Sequence, residues 1–163
     1  MIRLANLYDL NDILVIIKQA QQRMKNAGMT QWQNDYPNIN IIHQDILDKV
    51  LYVYILDNRV VGTMSVFPND PVYNHIEGAW LNKNPYMVIH RIAVLDAVIG
   101  KNISQQMIDF VFKFFNVTDI RIDTHPMNLP MIKSLKRQGF LYCGTIHVTT
   151  DTDTLRLAYH KHI

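Results

Sequence analysis

The chain has 163 residues, of which 48% are hydrophobic and 18% are charged, a balance typical of a folded globular domain with a full core. Its formal net charge of +2, without a cluster of Lys and Arg, argues against nucleic-acid and membrane partners, and no apolar run reaches the roughly 18 residues of a membrane span. The N-terminal residues lack the pattern of a secretory signal and the lone Cys143 cannot form an internal disulfide, so we expect a cytoplasmic protein.

Hydrophobic periodicity predicts a single domain over residues 1–163, with elements in the order β-α-α-β-β-β-α-β-α-β-β. In the first helix Ile13, Ile16, Ile17 and Ala20 recur at helical spacing, and Gly28 follows its end. An Asp-Asn turn between two β-rich runs predicts a hairpin, whereas residues 68–84 look irregular. The predicted elements are a strand at 1–5, helices at 9–28 and 41–50, a hairpin at 51–67, a strand at 86–94, a helix after Gly100, a strand at 119–125, a helix after Asn128, and strands at 140–148 and 153–162.

This order favours an α/β (α+β) fold, with a largely antiparallel sheet and one parallel βαβ unit at its centre. The turn of that unit, "AVIGKNIS", precedes a helix whose first backbone N–H groups are free to bind an anion such as a pyrophosphate. Gly100 would let a ligand approach the backbone closely, and Lys101 would add positive charge. From these residues alone, a phosphate-binding loop and a simple crossover between packed elements both remain open.

Several familiar active-site patterns are missing from the sequence. It contains neither G-x-G-x-x-G nor G-x-x-x-x-G-K-[ST], which argues against dinucleotide and P-loop sites. The seven histidines show no metal-ligand spacing, so we expect no metal. There is no G-x-S-x-G nucleophile elbow, and Cys143 is expected to be a buried, inert thiol.

Two long segments carry a resemblance to a known family. "VIHRIAVLDAVIGKNISQQMIDFV" resembles the acyl-CoA-binding segment of the GNAT N-acyltransferase superfamily, and "IRIDTHPMNLPMIKSLKRQGFLYCGTI" is similar to its next motif. Together with "QW" and "YP" near residues 31–37, they further resemble a bacterial acetyltransferase branch. The resemblance covers essentially the whole chain. It implies a mixed, mostly antiparallel twisted sheet flanked by about four helices, with a central βαβ unit that binds acyl-CoA.

The resemblance also implies a cofactor site for acetyl-CoA as acyl donor. The strand would pair with the pantetheine arm, the loop amides would hold the pyrophosphate, and the helix after Asn128 would flank the cofactor. The residues that it assigns to cofactor binding are Ile92, Ala93 and Val94 on the strand, Ile99, Gly100, Lys101, Asn102, Ile103 and Ser104 in the loop, and Asn128 and Met131 downstream.

The sequence departs from the family pattern at four positions. Ala97 replaces a Gln or Arg, Asn102 replaces a small residue, and Ile99 stands where an arginine is common. Losing one charge-assisted hydrogen bond costs about 1.5–3 kcal/mol, which would weaken CoA binding by roughly ten- to a hundredfold. Leu135 stands where many members have a tyrosine that protonates the departing thiolate, which would lower the rate without preventing the reaction, because a thiolate is a tolerable leaving group.

The implied reaction is direct attack of a primary amine, from a small molecule or a peptide, on the thioester. Candidate general bases, in our order of preference, are Glu77, then Asp123 and His125, then His90. Four aromatic residues are candidates for acceptor binding, although they could equally cover the core: Trp32, Tyr36, Tyr73 and Trp80. The alternative function is an acyl-CoA-binding or regulatory module with little or no catalysis. The last strand could be an exposed edge or pair across a homodimer.

Overall fold

The computed structural model describes residues 1–163. Its strands and helices follow the predicted order, with one additional two-residue strand, β4, inside the segment that we expected to be irregular. That segment also contains a short 3₁₀ turn. The elements are β1 (Ile2–Leu4), α1 (Leu10–Asn26), α2 (Ile39–Leu47), β2 (Leu51–Leu56), β3 (Arg59–Phe67), β4 (Glu77–Gly78), β5 (Met87–Val94), α3 (Ile103–Phe115), β6 (Asp119–Thr124), α4 (Leu129–Arg137), β7 (Leu141–His147) and β8 (Leu155–His162).

All eight strands form one sheet in the order β1-β2-β3-β5-β6-β8-β7-β4. Only β5 and β6 are parallel, and α3 connects them, as the βαβ prediction requires. The expected mixed, mostly antiparallel sheet with four helices is therefore confirmed. None of the four helices is both long and apolar enough to cross a membrane.

The middle of the sheet opens because β5 and β6 pair only at their beginnings. Met87 is opposite Ile120 and Val88 is opposite Arg121, and beyond these two pairs the strands have no common register. The edge of β5 that faces β6 therefore has no strand partner after Val88. This divergence creates a cleft in the sheet, with the carboxyl half of β5 on one side.

A β-bulge reshapes the same half of β5. Thr63 pairs with Ala93 and Ser65 with His90, so the single residue Met64 is opposite two residues of β5. One of these, Arg91, has a positive φ of 54°, which is unusual for a residue with a long side chain. The extra residue shifts by one position the alternation of β5 side chains between the two faces of the sheet.

The two faces of the sheet carry separate helices. α1 and α2 cover one face through a cluster that includes Ile13, Ile17 and Ile42, and Ala93 joins this cluster. α3 and α4 cover the other face through Met107 and Leu135 among others. Because of the bulge, Ile89 and Ala93 pack on opposite faces, although residues four apart on a regular strand point the same way.

Candidate functional site

The cleft between the diverging strands contains a cavity of about 330 Å³. Its walls come from β5, from the ends of α1, β3 and β6, from the starts of α4 and β8, and from three loops. The lining residues are Met24, Gln31, Trp32, Tyr36, Phe67, Asn69, Asp70, Pro71, Val72, Ile89, His90, Arg91, Ile92, Ile122, Asp123, Thr124, Asn128, Met131, Val148, Thr149, Thr150 and Arg156. The cavity thus combines an apolar floor with several ionisable side chains, which is the usual composition of a ligand site.

The loop between β5 and α3 presents free backbone donors. The amides of Gly100 and of residues 102–105 have no protein acceptor, and no side chain caps the start of α3. Gly100 and Asn102 both have positive φ values, 85° and 57°, and Asn enters this left-handed region more readily than most residues. Asn102 therefore keeps the loop conformation that a glycine would give. A row of unpaired amides at a helix N-terminus fits a pyrophosphate.

Two side chains of α1 brace this loop from the other side. Arg23 pairs with Asp96 and also donates to the Val94 carbonyl oxygen at 3.3 Å. Gln19 accepts a hydrogen bond from the Asp96 amide at 2.9 Å. Lys101, which is exposed, is the cation within the loop itself, and Ile99 is also exposed. The loop is therefore held in place before any ligand arrives.

Asn128 and Met131 line the cavity at the start of α4. The Asn128 side chain caps the helix, with Oδ1 accepting from the Met131 amide at 3.3 Å, and Nδ2 donates to Gln31 Oε1 at 3.1 Å. Leu135, one helical turn further on, is fully buried in the core beneath α4. No proton donor thus occupies this turn on the cavity side, as the sequence indicates.

His90 is the histidine that the structure brings to the cavity. Its Nε2 lies 2.8 Å from Asp70 Oδ2, whereas its Nδ1 lies 3.7 Å from Asp123 Oδ2, which is too far for a hydrogen bond. The hydrogen bond from His90 holds the pKa of the Asp70 carboxyl below its ordinary value, although burial opposes this. His90 Nδ1 thus has no hydrogen-bond partner in the protein, and the side chain is 20% exposed.

Asp123 also lines the cavity, but a buried tyrosine holds it. Tyr73 donates to Asp123 Oδ2 at 2.7 Å. Burial, assisted by the nearby Asp123, raises the pKa of Tyr73 well above its ordinary value, so the hydroxyl keeps its proton. The other carboxylate oxygen, Oδ1, lies 3.9 Å from Arg156 Nε. His90 is therefore flanked by two carboxylates from different elements.

His125 and Glu77 do not line the cavity. The Met127 amide donates to His125 Nδ1 at 3.1 Å, so the proton is on Nε2, which lies 2.8 Å from Asp153 Oδ2. With both nitrogens engaged, His125 joins the end of β6 to the β7–β8 loop. Glu77 lies on β4 at the sheet edge, 74% exposed and beside Thr145. Our first choice of base thus lies outside the cavity, on a strand that pairs with β7 at the edge of the sheet.

The four aromatic candidates separate into two pairs. Trp32 and Tyr36 line the cavity. Tyr73 is buried and Trp80 donates to its carbonyl oxygen at 2.9 Å, while the Trp80 ring covers the guanidinium of Arg121. The second pair therefore packs under the loop, as the alternative interpretation allowed. Cys143 is also buried and its pKa is raised by burial, in agreement with an inert thiol.

Two buried ion pairs at the cavity were missed from the sequence. Arg91 donates from Nε to Asp45 Oδ2 at 2.8 Å and from Nη1 to the Tyr36 hydroxyl at 3.0 Å. Arg156 donates from Nη2 to Asp151 Oδ2 at 2.9 Å. One signal was available: Asp45 lies between Ile42 and Ile46 on the apolar face of α2, where a charged residue needs a partner.

Comparison with known proteins agrees with this architecture. Residues 16–140 match the Acetyltransferase (GNAT) family. The crystal structure of a GNAT-family acetyltransferase from Streptococcus agalactiae 2603 superposes with a TM-score of 0.91 and 33% identity, over 100% of this chain and 95% of that chain. No curated protein matches the sequence significantly.

Two more distant structures share the fold. A GNAT-family acetyltransferase from Listeria monocytogenes 4b F2365 has a TM-score of 0.72 and 22% identity, over 100% of this chain and 94% of that one. The PaiA N-acetyltransferase of Thermoplasma acidophilum, crystallised with coenzyme A, has a TM-score of 0.69 and 12% identity, over 100% and 98% of the two chains. With a matching family profile over most of its length and a 33% identical relative, the chain belongs to the GNAT acetyltransferase family.

Proposed function

We propose that this protein transfers the acetyl group of acetyl-CoA to a primary amine of a small molecule or peptide. The observation that carries the proposal is the combination of a free strand edge along β5 and a row of free amides in the loop that follows this strand. β5 has no strand partner on the side of β6 after Val88, and the amides of Gly100 and of residues 102–105 have no acceptor. Acetyl-CoA fits both features. Its extended pantetheine arm, which carries the thioester, would pair with the strand edge, and its anionic pyrophosphate would bind the free amides.

Different segments of the chain would bind different parts of acetyl-CoA. The free edge of β5, at Ile92 to Val94, would pair with the pantetheine arm, and Asn128 and Met131 would flank it from α4. The free amides of Gly100, Asn102, Ile103 and Ser104 would hold the pyrophosphate, with the Lys101 side chain adding a positive charge. Acetyl-CoA supplies the activated acetyl group.

His90 is the general base in this proposal, and Asp70 positions it. With the Nε2 proton directed to Asp70 at 2.8 Å, Nδ1 carries the lone pair and has no hydrogen-bond partner in the protein, since Asp123 Oδ2 is 3.7 Å away. The attacking amine forms a bond to the acetyl carbon and gives a proton to His90, while the carbon–sulfur bond breaks. Water protonates the thiolate, because Leu135 has no ionisable group, and the proton held by His90 returns to the solvent, which balances the step.

The burial of Leu135 is the observation that favours the second candidate, a module that binds acyl-CoA with little catalysis. Both candidates predict binding of CoA, so the first experiment is a titration of CoA by calorimetry. The variant Lys101→Glu should weaken binding roughly tenfold, because it places a negative charge beside the pyrophosphate. Lys113→Glu is the matched control, since Lys113 is exposed on α3 beyond the loop. Failure of CoA to bind to the wild-type protein would refute both candidates.

The second experiment separates the two candidates by the release of free CoA thiol over a panel of primary amines. His90→Gln should lower kcat about a hundredfold or more while CoA affinity stays unchanged. His75→Gln is the control, since His75 is exposed and outside the cavity. Turnover that survives in His90→Gln would remove His90 as base, and tight CoA binding without thiol release with any amine would favour the binding module.

A further inference from the structure

The charges around the cavity do not balance. Two guanidinium groups line it, those of Arg91 and Arg156, and so do two carboxylates, Asp70 and Asp123. Two further carboxylates, which do not line the cavity, pair with these guanidinium groups: Asp45 with Arg91 and Asp151 with Arg156. Four carboxylates therefore face two guanidinium groups, which gives the site an excess negative charge of two when His90 is neutral.

Neither guanidinium group is free to receive an anion from an acceptor. The Arg91 side chain is 9% exposed and the Arg156 side chain is 3% exposed. Arg156 also donates from Nη1 to the carbonyl oxygens of Asp153 and Leu155. A carboxylate on the acceptor would thus meet Asp70 and Asp123 without a cation to pair with, which is strongly unfavourable in a site shielded from water.

The rest of the cavity wall suits a cation. The rings of Trp32, Tyr36 and Phe67 line the same space as the two carboxylates, and aromatic faces attract ammonium groups. The Phe67 ring lies 5.7 Å from the His90 ring, centroid to centroid, so this aromatic surface reaches the proposed base.

An unsatisfied buried hydroxyl indicates that a ligand completes the site. Thr124 is 1% exposed and lines the cavity next to Asp123, yet its Oγ1 has no hydrogen-bond partner in the protein. Buried polar groups in folded proteins are almost always paired. A polar group of a bound molecule would supply the missing partner.

We infer that the acceptor is a short aliphatic diamine, and not a simple monoamine or an amino acid with a free carboxylate. This inference rests on the proposed function. A diamine enters as a dication and matches the two excess negative charges. One ammonium group gives a proton to His90, and the neutral amine that results forms the bond to the acetyl carbon as the carbon–sulfur bond breaks. The second proton of this nitrogen passes through water to the CoA thiolate, while the other nitrogen remains an ammonium group beside a carboxylate.

The test compares three acceptors of similar length: 1,5-diaminopentane, pentylamine and 6-aminohexanoate. The kcat/KM for the diamine should exceed that for pentylamine at least tenfold and that for 6-aminohexanoate by more, because each charge pair changes the affinity by roughly ten- to a hundredfold. In Asp70→Asn the diamine-to-pentylamine ratio should fall about tenfold. A purely structural role of Asp70 would lower both rates equally and leave the ratio unchanged.

Asp12→Asn is the control for the ratio, because it removes a carboxylate from an exposed position on α1. Calorimetry in the presence of CoA measures the affinity of each of the three amines without requiring turnover. If CoA binds but the three amines bind equally, or none binds detectably, the diamine assignment is overturned and the cofactor site stands. If the diamine binds at least tenfold more tightly but no thiol is released, the ligand class is supported and the enzymatic proposal fails.

Discussion

Replacement of Asp45 by Asn should destabilise the protein strongly, because it breaks a buried ion pair at the cavity. Asp45 Oδ2 receives hydrogen bonds from Arg91 Nε at 2.8 Å and from the Ser65 hydroxyl at 2.6 Å, and Arg91 Nη2 lies 2.7 Å away. The side chains of both ionic partners are 9% exposed. An asparagine would keep the shape but leave the guanidinium buried without a counter-charge.

The loss of one partner from such a pair costs about 3–5 kcal/mol. For a chain of this length, each kcal/mol lowers the melting temperature by roughly 2–4 °C, so Asp45→Asn should melt about 6–20 °C below the wild type. Asp48→Asn is the matched control. Asp48 is exposed at the end of the same helix, where it accepts only from Gln44 Nε2 at 2.8 Å, and its loss should change the unfolding free energy by less than about 0.5 kcal/mol.

Urea unfolding at neutral pH measures these differences, and a double variant tests their origin. Asp45→Leu combined with Arg91→Met removes both charges, so it should be much less destabilised than the sum of the two single variants. A cost below about 1 kcal/mol for Asp45→Asn, or additive costs in the double variant, would show that the pair does not hold the bulged strand in place.

Three further variants test other parts of the fold. Leu135→Tyr, which restores the family tyrosine, should lower the unfolding free energy by about 1–3 kcal/mol in urea without raising kcat, because position 135 is fully buried. Asp119 is buried, which would raise its pKa, but hydrogen bonds from four side chains outweigh this and hold its pKa well below the ordinary value. The ionised Asp119 should therefore contribute its full stabilisation above about pH 4, and this contribution should be lost as the pH falls below that. In Asp119→Asn the unfolding free energy, measured in urea, should depend less on pH in this acidic range. In Gly144→Ala the new Cβ would lie 2.2 Å from the Glu77 carbonyl oxygen, so β4 should detach at a cost of about 1–3 kcal/mol, whereas Gly28→Ala meets no neighbour and should cost less; equal urea midpoints for these two variants would contradict the close contact.

Much of the fold could be predicted because its signals are local. The helical spacing of Ile13, Ile16 and Ile17 survives in the structure as the buried face of α1. β4 was missed because a strand of two residues has no periodicity, and its existence depends on pairing with β7. The bulge at Arg91 was also invisible, since it results from the register between two strands that are distant in the chain.

The candidate site was predictable only in part, for the same reason. The loop that we propose to bind an anion is a local feature of "IGKNIS", and several of its amides are free in the structure. Asp70 was overlooked because an aspartate before a proline is typical of a turn, and it does cap one by accepting from the Val72 amide at 2.9 Å. Its second contact, to His90, gives it a further role that no local pattern indicates.

By itself, the sequence determines the order of the elements and the loop that begins α3, because both depend on side chains close together in the chain. Only the tertiary structure decides which ionisable groups meet. Asp70 and His90 are 20 positions apart, and Asp45 and Arg91 are 46 apart. They come together through strand pairing and packing over the whole sheet, which side chains close together in the chain do not set. Glu77 is excluded from the cleft, and His90 included, by the same long-range pairing.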